Sequence, residues 1–183
     1  MSQISLKQVS WLQYKKELCA LRQQVFIVEQ GVPPNLVSDI YDEDAYHWLA
    51  FDGNKQPIGC ARLLSSGSIG RMAILPEARG NNYGFKLLQA ILIFAQQGRV
   101  NNEVFLSAQT HVIAFYKKSG FIAEGDVYIE AGIQHRMMRK MLFGSPLLAV
   151  SSGKFFVHDY SANVLSLMTQ TTRQLLILNH SLD

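Results

Sequence analysis

Two stretches of this 183-residue chain hold residues whose types and order suit chemistry. The first runs from Ile69 to Leu88. An apolar segment ends at Pro76, a polar loop Arg79-Gly80-Asn81-Asn82-Tyr83-Gly84 follows, and a helical pattern begins. A strand that feeds a helix through a Gly/Asn-rich turn leaves the first backbone N–H groups of that helix unpaired and convergent. With the positive end of the helix dipole behind them, they form an anion site suited to phosphate. Gly80 and Gly84 allow close backbone approach, Asn82 tolerates a left-handed conformation, and Arg79 and Lys86 flank the loop with positive charge. Alone, such a turn is also an ordinary helix entry. It lacks the Gly-Lys-Ser/Thr ending of a Walker A loop and the G-x-G-x-x-G spacing of a dinucleotide fingerprint. The second stretch, Ala108 to Phe121, reads as the end of a strand followed by a short helix carrying Tyr116 and closed by Gly120-Phe121.

The elements that must position these residues follow from periodicity. Ile4 to Val9 reads as a strand, and Ser10 with Gln13 as the start of a helix whose inner face is Tyr14, Leu18, Leu21, Val25 and Val28. Gly31 and Pro33-Pro34 stop it and open an irregular segment containing Asp39, Asp42, Glu43 and Asp44, read as a solvated loop or a rim attracting a cation. Strands over 47–51, 58–64 and 69–75 form a meander, with a hairpin turn at Asp52-Gly53-Asn54. A helix over 81–97, a strand over 104–108, a short helix over 110–119 and two closing strands, 121–129 and 135–142, complete the pattern. Turns are expected at Gly125-Asp126 and Ala131-Gly132. The fold class is therefore α/β (α+β).

Composition narrows the class. Ten Phe and seven Tyr with 17% charged residues exclude disorder, and no apolar run approaches the ~20 residues of a membrane span, so no membrane partner is expected. The start lacks a basic and an apolar signal region, and Cys19 and Cys60 read as free thiols, which together predict a cytoplasmic protein. The surplus of three positive charges suits an anionic small ligand and does not argue for nucleic acid. The scattered histidines, with no Cys-x-x-Cys, predict no metal. Residues 1–143 are read as one domain and 144–183 as a short packed extension, or the opening of a partial domain, holding a helix capped by Ser161 and an apolar run, Leu175 to Leu178. That extension either mediates a homodimer or continues the sheet.

The second stretch, with Ala114, Phe115-Tyr116 and Gly120-Phe121, resembles the GNAT superfamily of acetyl-CoA-dependent N-acetyltransferases. The first fits at Arg79 and Gly84 and departs at Asn82, where a Gly is usual. Leu21-Arg22, Val25 to Gln30, Asp39 to His47, Ala108 to His111 and Tyr128 to His135 are similar to the ElaA-like branch, and the resemblance spans roughly residues 4–142. It implies a GNAT fold: a mixed, mostly antiparallel sheet of about seven strands flanked by helices and splayed between strands 4 and 5. Loop residues 79–84 and Lys117 would hold acetyl-CoA. A bulged strand 4 would offer the oxyanion a main-chain N–H from Met72, Ala73 or Ile74, and Tyr116 would protonate the departing thiolate.

Acetyl transfer needs a neutral amine, since an ammonium with a pKa of ~10 has no lone pair. Candidates for the base are His111, His135 and Glu29, with Glu43, His47 and Glu130 behind them. The expected reaction is direct acetyl transfer to a primary amine of a small molecule or peptide. A non-catalytic acyl-CoA-binding or protein-interaction module is the alternative, and a nucleic-acid binder using Lys15, Lys16, Lys117, Lys118, Arg136, Arg139 and Lys140 a third.

Overall fold

The computed structural model describes residues 4–142; the predicted extension over 144–183 lies outside the described residues. Strand β1 (Ser5–Val9) leads into helix α1 (Trp11–Arg22) through Ser10, whose extended backbone and side-chain oxygen receive the Gln13 N–H at 3.4 Å. The apolar spacing buries Leu18, Leu21 and Val25 as predicted, but Val28 is 64% exposed. The reason is local geometry. After Arg22 the chain widens into a π-helical turn (Gln23–Glu29), and the larger turn rotates Val28 off the face that a 3.6-residue period assigns to it.

Strands β2 (Tyr46–Phe51), β3 (Pro57–Leu63) and β4 (Ile69–Ile74) form the expected antiparallel meander, with β1 added beside β2, so the first sheet has the order β1-β2-β3-β4. Helix α2 (Tyr83–Phe94) runs on into a wider turn that ends with Gly98 at φ 78°. Strand β5 (Glu103–Gln109), helix α3 (Ile113–Lys117) and strands β6 (Ile122–Glu130) and β7 (Ile133–Met141) follow.

The closing strands form a second sheet in the order β5-β7-β6 rather than extending a single one. Its hairpin is the Ala131-Gly132 turn, where both residues have positive φ (51° and 78°), as a two-residue hairpin loop requires. Gly125-Asp126 is not a turn. It lies in a bulge of β6, where the register passes from Glu124↔Met137 to Tyr128↔His135. Among the described residues the two sheets meet at a parallel bridge, Ser68 beside Phe105, with the Phe105 N–H donating to the Gly67 carbonyl at 3.0 Å.

Strand alternation then assigns the helices. Ala61 and Leu63 of β3 pack with Leu87, Leu88 and Ile91 of α2 and with Val104, Leu106 and Met138 of the second sheet. Cys60, Leu49 and Ala73 pack on the opposite face under Leu18, Leu21 and Val25. α1 and α2 thus cover opposite faces of the first sheet, and α2 also seals the seam to the second.

Candidate active site

The site begins with one extra residue in β4. Cys60 faces Ala73 while Arg62 faces Gly70, so β4 holds three steps where β3 holds two. The surplus is absorbed at Arg71, which takes φ 52°, a left-handed conformation that costs a non-glycine residue about 1–2 kcal/mol. The ladder sets the direction of the neighbouring amides. The Leu75 N–H donates to the Ile58 carbonyl at 2.9 Å, and Ala73 hydrogen-bonds Cys60, so both face β3. By alternation the main-chain groups of Met72 and Ile74 face away from β3, along the edge where β4 and β5 part. Of the three donors predicted, Ala73 is therefore turned inward; Met72 and Ile74 are not.

The loop after β4 matches the anion-site geometry. Gly80 has φ 79° and Asn82 φ 59°, so the asparagine adopts the left-handed conformation a glycine would supply, at lower cost than most residues. No side chain caps α2 at Asn82; Asn81 instead braces the loop, its Nδ2 donating to the carbonyls of Ala78 (3.3 Å) and Arg79 (3.1 Å). The first intrahelical bond is Lys86 N–H to the Asn82 carbonyl at 3.0 Å, so the Gly84 and Phe85 N–H groups precede the helical ladder. At Gly84 a Cβ would lie 3.7 Å from both Ile74 and Phe115, filling the space between loop, strand and α3.

Tyr116 reaches this strand from the other side. The α3 helix, closed by Gly120 at φ 81°, sets the ring edge-on to Phe115 and Phe121, and the phenol donates to the Met72 sulfur at 3.7 Å. Burial pushes the phenol up to about 12, so it stays protonated at neutral pH. A proton donor is thus held at the bulge, beside the outward-facing amides.

The other predicted residues lie elsewhere or have other partners. Glu29 grips Arg79 with both oxygens, at 2.7 and 2.6 Å, and the guanidinium holds its carboxyl below the usual carboxylate range. That pairing makes Glu29 a poor base and an anchor for the loop; Arg79 also donates from Nε to the Ile74 carbonyl at 3.0 Å. His111 is exposed on the turn after β5. His135 is buried in β7 opposite Gln109, stacked on Tyr128, with Nδ1 at 2.8 Å from the Ile133 carbonyl. Because that carbonyl only accepts, Nδ1 is the donor in this contact, and in the neutral ring Nε2 is then the acceptor. No hydrogen bond joins either histidine to Tyr116 among the described residues. Lys117 lines a cleft of about 520 Å³ with Gly120, Phe121, Ile122, Ala123 and Arg136, and no residue of the 79–84 loop belongs to it.

Sequence reasoning also missed a buried ionic cluster on the α1 face. Asp42, read as part of a solvated rim, is 1% exposed. It receives Arg22 through two hydrogen bonds (2.9 and 3.0 Å) and Arg62 at 2.9 Å. Asp39 binds Arg62 with both oxygens (2.6 and 3.0 Å) and Arg71 at 3.0 Å. His47 is fully buried, stacked on Trp11, its Nε2 2.8 Å from the Asp42 carbonyl; desolvation lowers its pKa and keeps it neutral. The arginines and their carboxylates are twenty or more residues apart in sequence, so no spacing rule could pair them. A second missed network joins Tyr128, Ser107 and Glu130: the phenol donates to the Ser107 hydroxyl at 2.6 Å, and that hydroxyl donates to the carboxylate at 2.7 Å.

A bulged strand beside its parallel neighbour, a helix entry with no side-chain cap and a half-buried tyrosine against Met72 form a candidate site for an acyl thioester. The family model described as an acetyltransferase (GNAT) domain matches residues 8–142, and the chain belongs to that family. It is 30% identical over 129 residues to an uncharacterized N-acetyltransferase, YjcF, of Bacillus subtilis, covering 68% of this chain and 91% of the relative. Among solved structures it is similar to an acyl-CoA N-acyltransferase from Pseudomonas aeruginosa (32% identity, TM-score 0.66, 76% of this chain and 99% of that one). It is likewise similar to Escherichia coli ElaA (30% identity, TM-score 0.66, 74% and 99%). Enzymes of this family use acetyl-CoA as co-substrate. The residues present fit it: the Gly84 and Phe85 amides and the cradle at Gly84 suit a diphosphate, and the edge of β4 suits an extended amide-bearing arm. Among the described residues no helix is long and apolar enough to cross a membrane, and no group of His, Cys, Asp and Glu could hold a metal ion.

Proposed function

We propose that this chain moves an acetyl group directly from acetyl-CoA to a primary amine of a small molecule or peptide. When bound, the coenzyme supplies an electrophilic thioester carbonyl. The outward-facing N–H of Met72 or Ile74 donates to the carbonyl oxygen as it gains charge. The amine nitrogen bonds to the acetyl carbon as the carbon–sulfur bond breaks, the amine proton leaves to a base, and Tyr116 returns a proton to the departing sulfur. His135, whose Nδ1 donates to the Ile133 carbonyl and so leaves Nε2 for the acceptor role, is the favoured base, directly or through water, and His111 the next.

The observation carrying this reading is the Tyr116 hydroxyl held at the bulge, 3.7 Å from the Met72 sulfur. A hydroxyl proton donor at the parted edge is what a departing thiolate needs. Direct transfer is supported by the cysteines. Cys60 is fully buried with its thiol pushed up to about 11, so it offers no thiolate nucleophile, and Cys19 packs half-buried in α1. Both are free thiols, which supports a reducing, cytoplasmic setting. We read residues 1–143 as the catalytic domain and 144–183 as an extension to it.

Tyr116→Phe tests the reading. Free coenzyme A released with a panel of amines is expected to fall about 10²–10⁴-fold, with acetyl-CoA affinity by calorimetry unchanged. Undiminished release would remove Tyr116 from the mechanism. Coenzyme binding without release on any amine would favour the non-catalytic module.

A further inference from the structure

The cluster beneath α1 is not charge-balanced. Three guanidinium groups, Arg22, Arg62 and Arg71, face two carboxylates, Asp39 and Asp42, and His47 is neutral. The surplus falls on Arg71. Arg22 is committed to Asp42, and Arg62 occupies both oxygens of Asp39, so Arg71 shares an acceptor already matched by another cation. Like those of Arg22 and Arg62, its Nε is buried with no hydrogen-bond partner among the described residues. The Arg71 side chain is 25% exposed, against 0% for Arg22 and 7% for Arg62, so of the three arginines it is the one that opens to solvent, beside the part-exposed Asp39.

Arg71 is also the bulge residue itself. Its φ of 52° creates the extra step in β4, and the next residue is Met72, toward which Tyr116 points. Adjacent Cα atoms lie ~3.8 Å apart, so the Arg71 backbone is one residue from the proposed reaction centre, while its guanidinium lies on the face covered by α1, against Asp39. A guanidinium one quarter exposed, whose carboxylate partner is shared with Arg62, presents a planar fork that is matched by a carboxylate.

We propose that Arg71 binds an acid group of the acceptor, so that the amine acetylated here is a carboxylate-bearing one of the α-amino acid class. In such a molecule the nitrogen and the carboxylate are separated by one carbon. Engaging the acid at Arg71 therefore holds the nitrogen beside the bulge. The inference rests on the acetyltransferase reading above and adds the acceptor's chemistry to it.

The test uses two stable conjugates in which the sulfur of coenzyme A carries a carbonylmethyl group joined by an amide bond to glycine or to glycinamide. Calorimetry with the full chain at neutral pH is expected to show the glycine conjugate binding about tenfold tighter or more, as a charge-assisted hydrogen bond allows. In Arg71→Gln this preference is lost while the glycinamide conjugate binds as before. Equal affinity of the two conjugates for the wild type overturns the proposal but leaves the coenzyme site standing. A preference surviving in R71Q overturns the assignment to Arg71. Binding of neither conjugate overturns the coenzyme reading and this inference with it. Should R71Q not fold, Arg71→Lys replaces it: a reduced preference supports the assignment, because Lys lacks the fork, and an unaltered one overturns it.

Discussion

Asn82 shows how one residue can stand for another without losing the geometry. Its φ of 59° is the conformation the loop needs, so the departure from glycine changes the side chain and not the path of the backbone. Asn82→Gly is therefore expected to keep acetyl-CoA affinity and alter stability by under about 1 kcal/mol, whereas Asn82→Val should cost roughly 1–2 kcal/mol, read from thermal melts. Glu29 is the opposite case, a residue whose type suggested a base and whose partner removes it from that role. Its pairing with Arg79 is exposed, so Glu29→Gln should cost under about 1 kcal/mol of stability. The pH profile of kcat should keep its shape in that variant. An acidic limb that disappears in E29Q would return Glu29 to proton transfer.

At the scale of elements, the π-helical turn after α1 is what brings its last residues across the mouth of the slot. Glu29 reaches Arg79 before α2, and the Gln30 side-chain carbonyl accepts from Gln109 at the end of β5, at 2.9 Å. One segment thus touches both sides of the opening between β4 and β5. Helix α2 does the same from the other face, with Leu87, Leu88 and Ile91 fully buried against both sheets. Leu88→Ala should cost about 2–5 kcal/mol by chemical denaturation and widen the seam, since a buried leucine at a two-sheet junction leaves a cavity that neither sheet can close alone. The bulge in β4 and that in β6 are local, but each redirects a functional surface: one frees the amides of Met72 and Ile74, the other places Tyr128 beside His135 and Ser107.

For the whole molecule, the ionic cluster ties α1 to β2, β3, β4 and the 39–42 turn, and it makes stability depend on pH. His47 has its pKa lowered from 6.5 by burial, so its contribution is present above that value and lost as pH falls below it. Asp42 is lowered from 3.8, with Arg22 and Arg62 outweighing its desolvation, so a second loss follows in more acid solution. Melting temperature is therefore expected to fall between pH 7 and pH 5, and His47→Gln should flatten that fall; a melt indifferent to pH in this range would contradict the buried neutral imidazole. Asp42→Ala should cost about 3–5 kcal/mol, because it strands the buried Arg22 guanidinium and removes one of the two carboxylate partners of Arg62. Much was legible before any coordinates. Strand and helix patterns come from periods of two and 3.6, Gly80 and Asn82 announce themselves through types that few other positions favour, and Tyr116 stands out through the short motif that resembles the GNAT superfamily. Those are local signals, and local steric and hydrogen-bonding rules are written along the chain. What the tertiary structure alone decided was pairing: β7 between β5 and β6, Asp42 with Arg22, Glu29 with Arg79, and Arg71 left with half a partner. Such contacts join residues tens of positions apart, and their choice depends on which burial and charge arrangement closes the whole molecule, which no window of sequence contains.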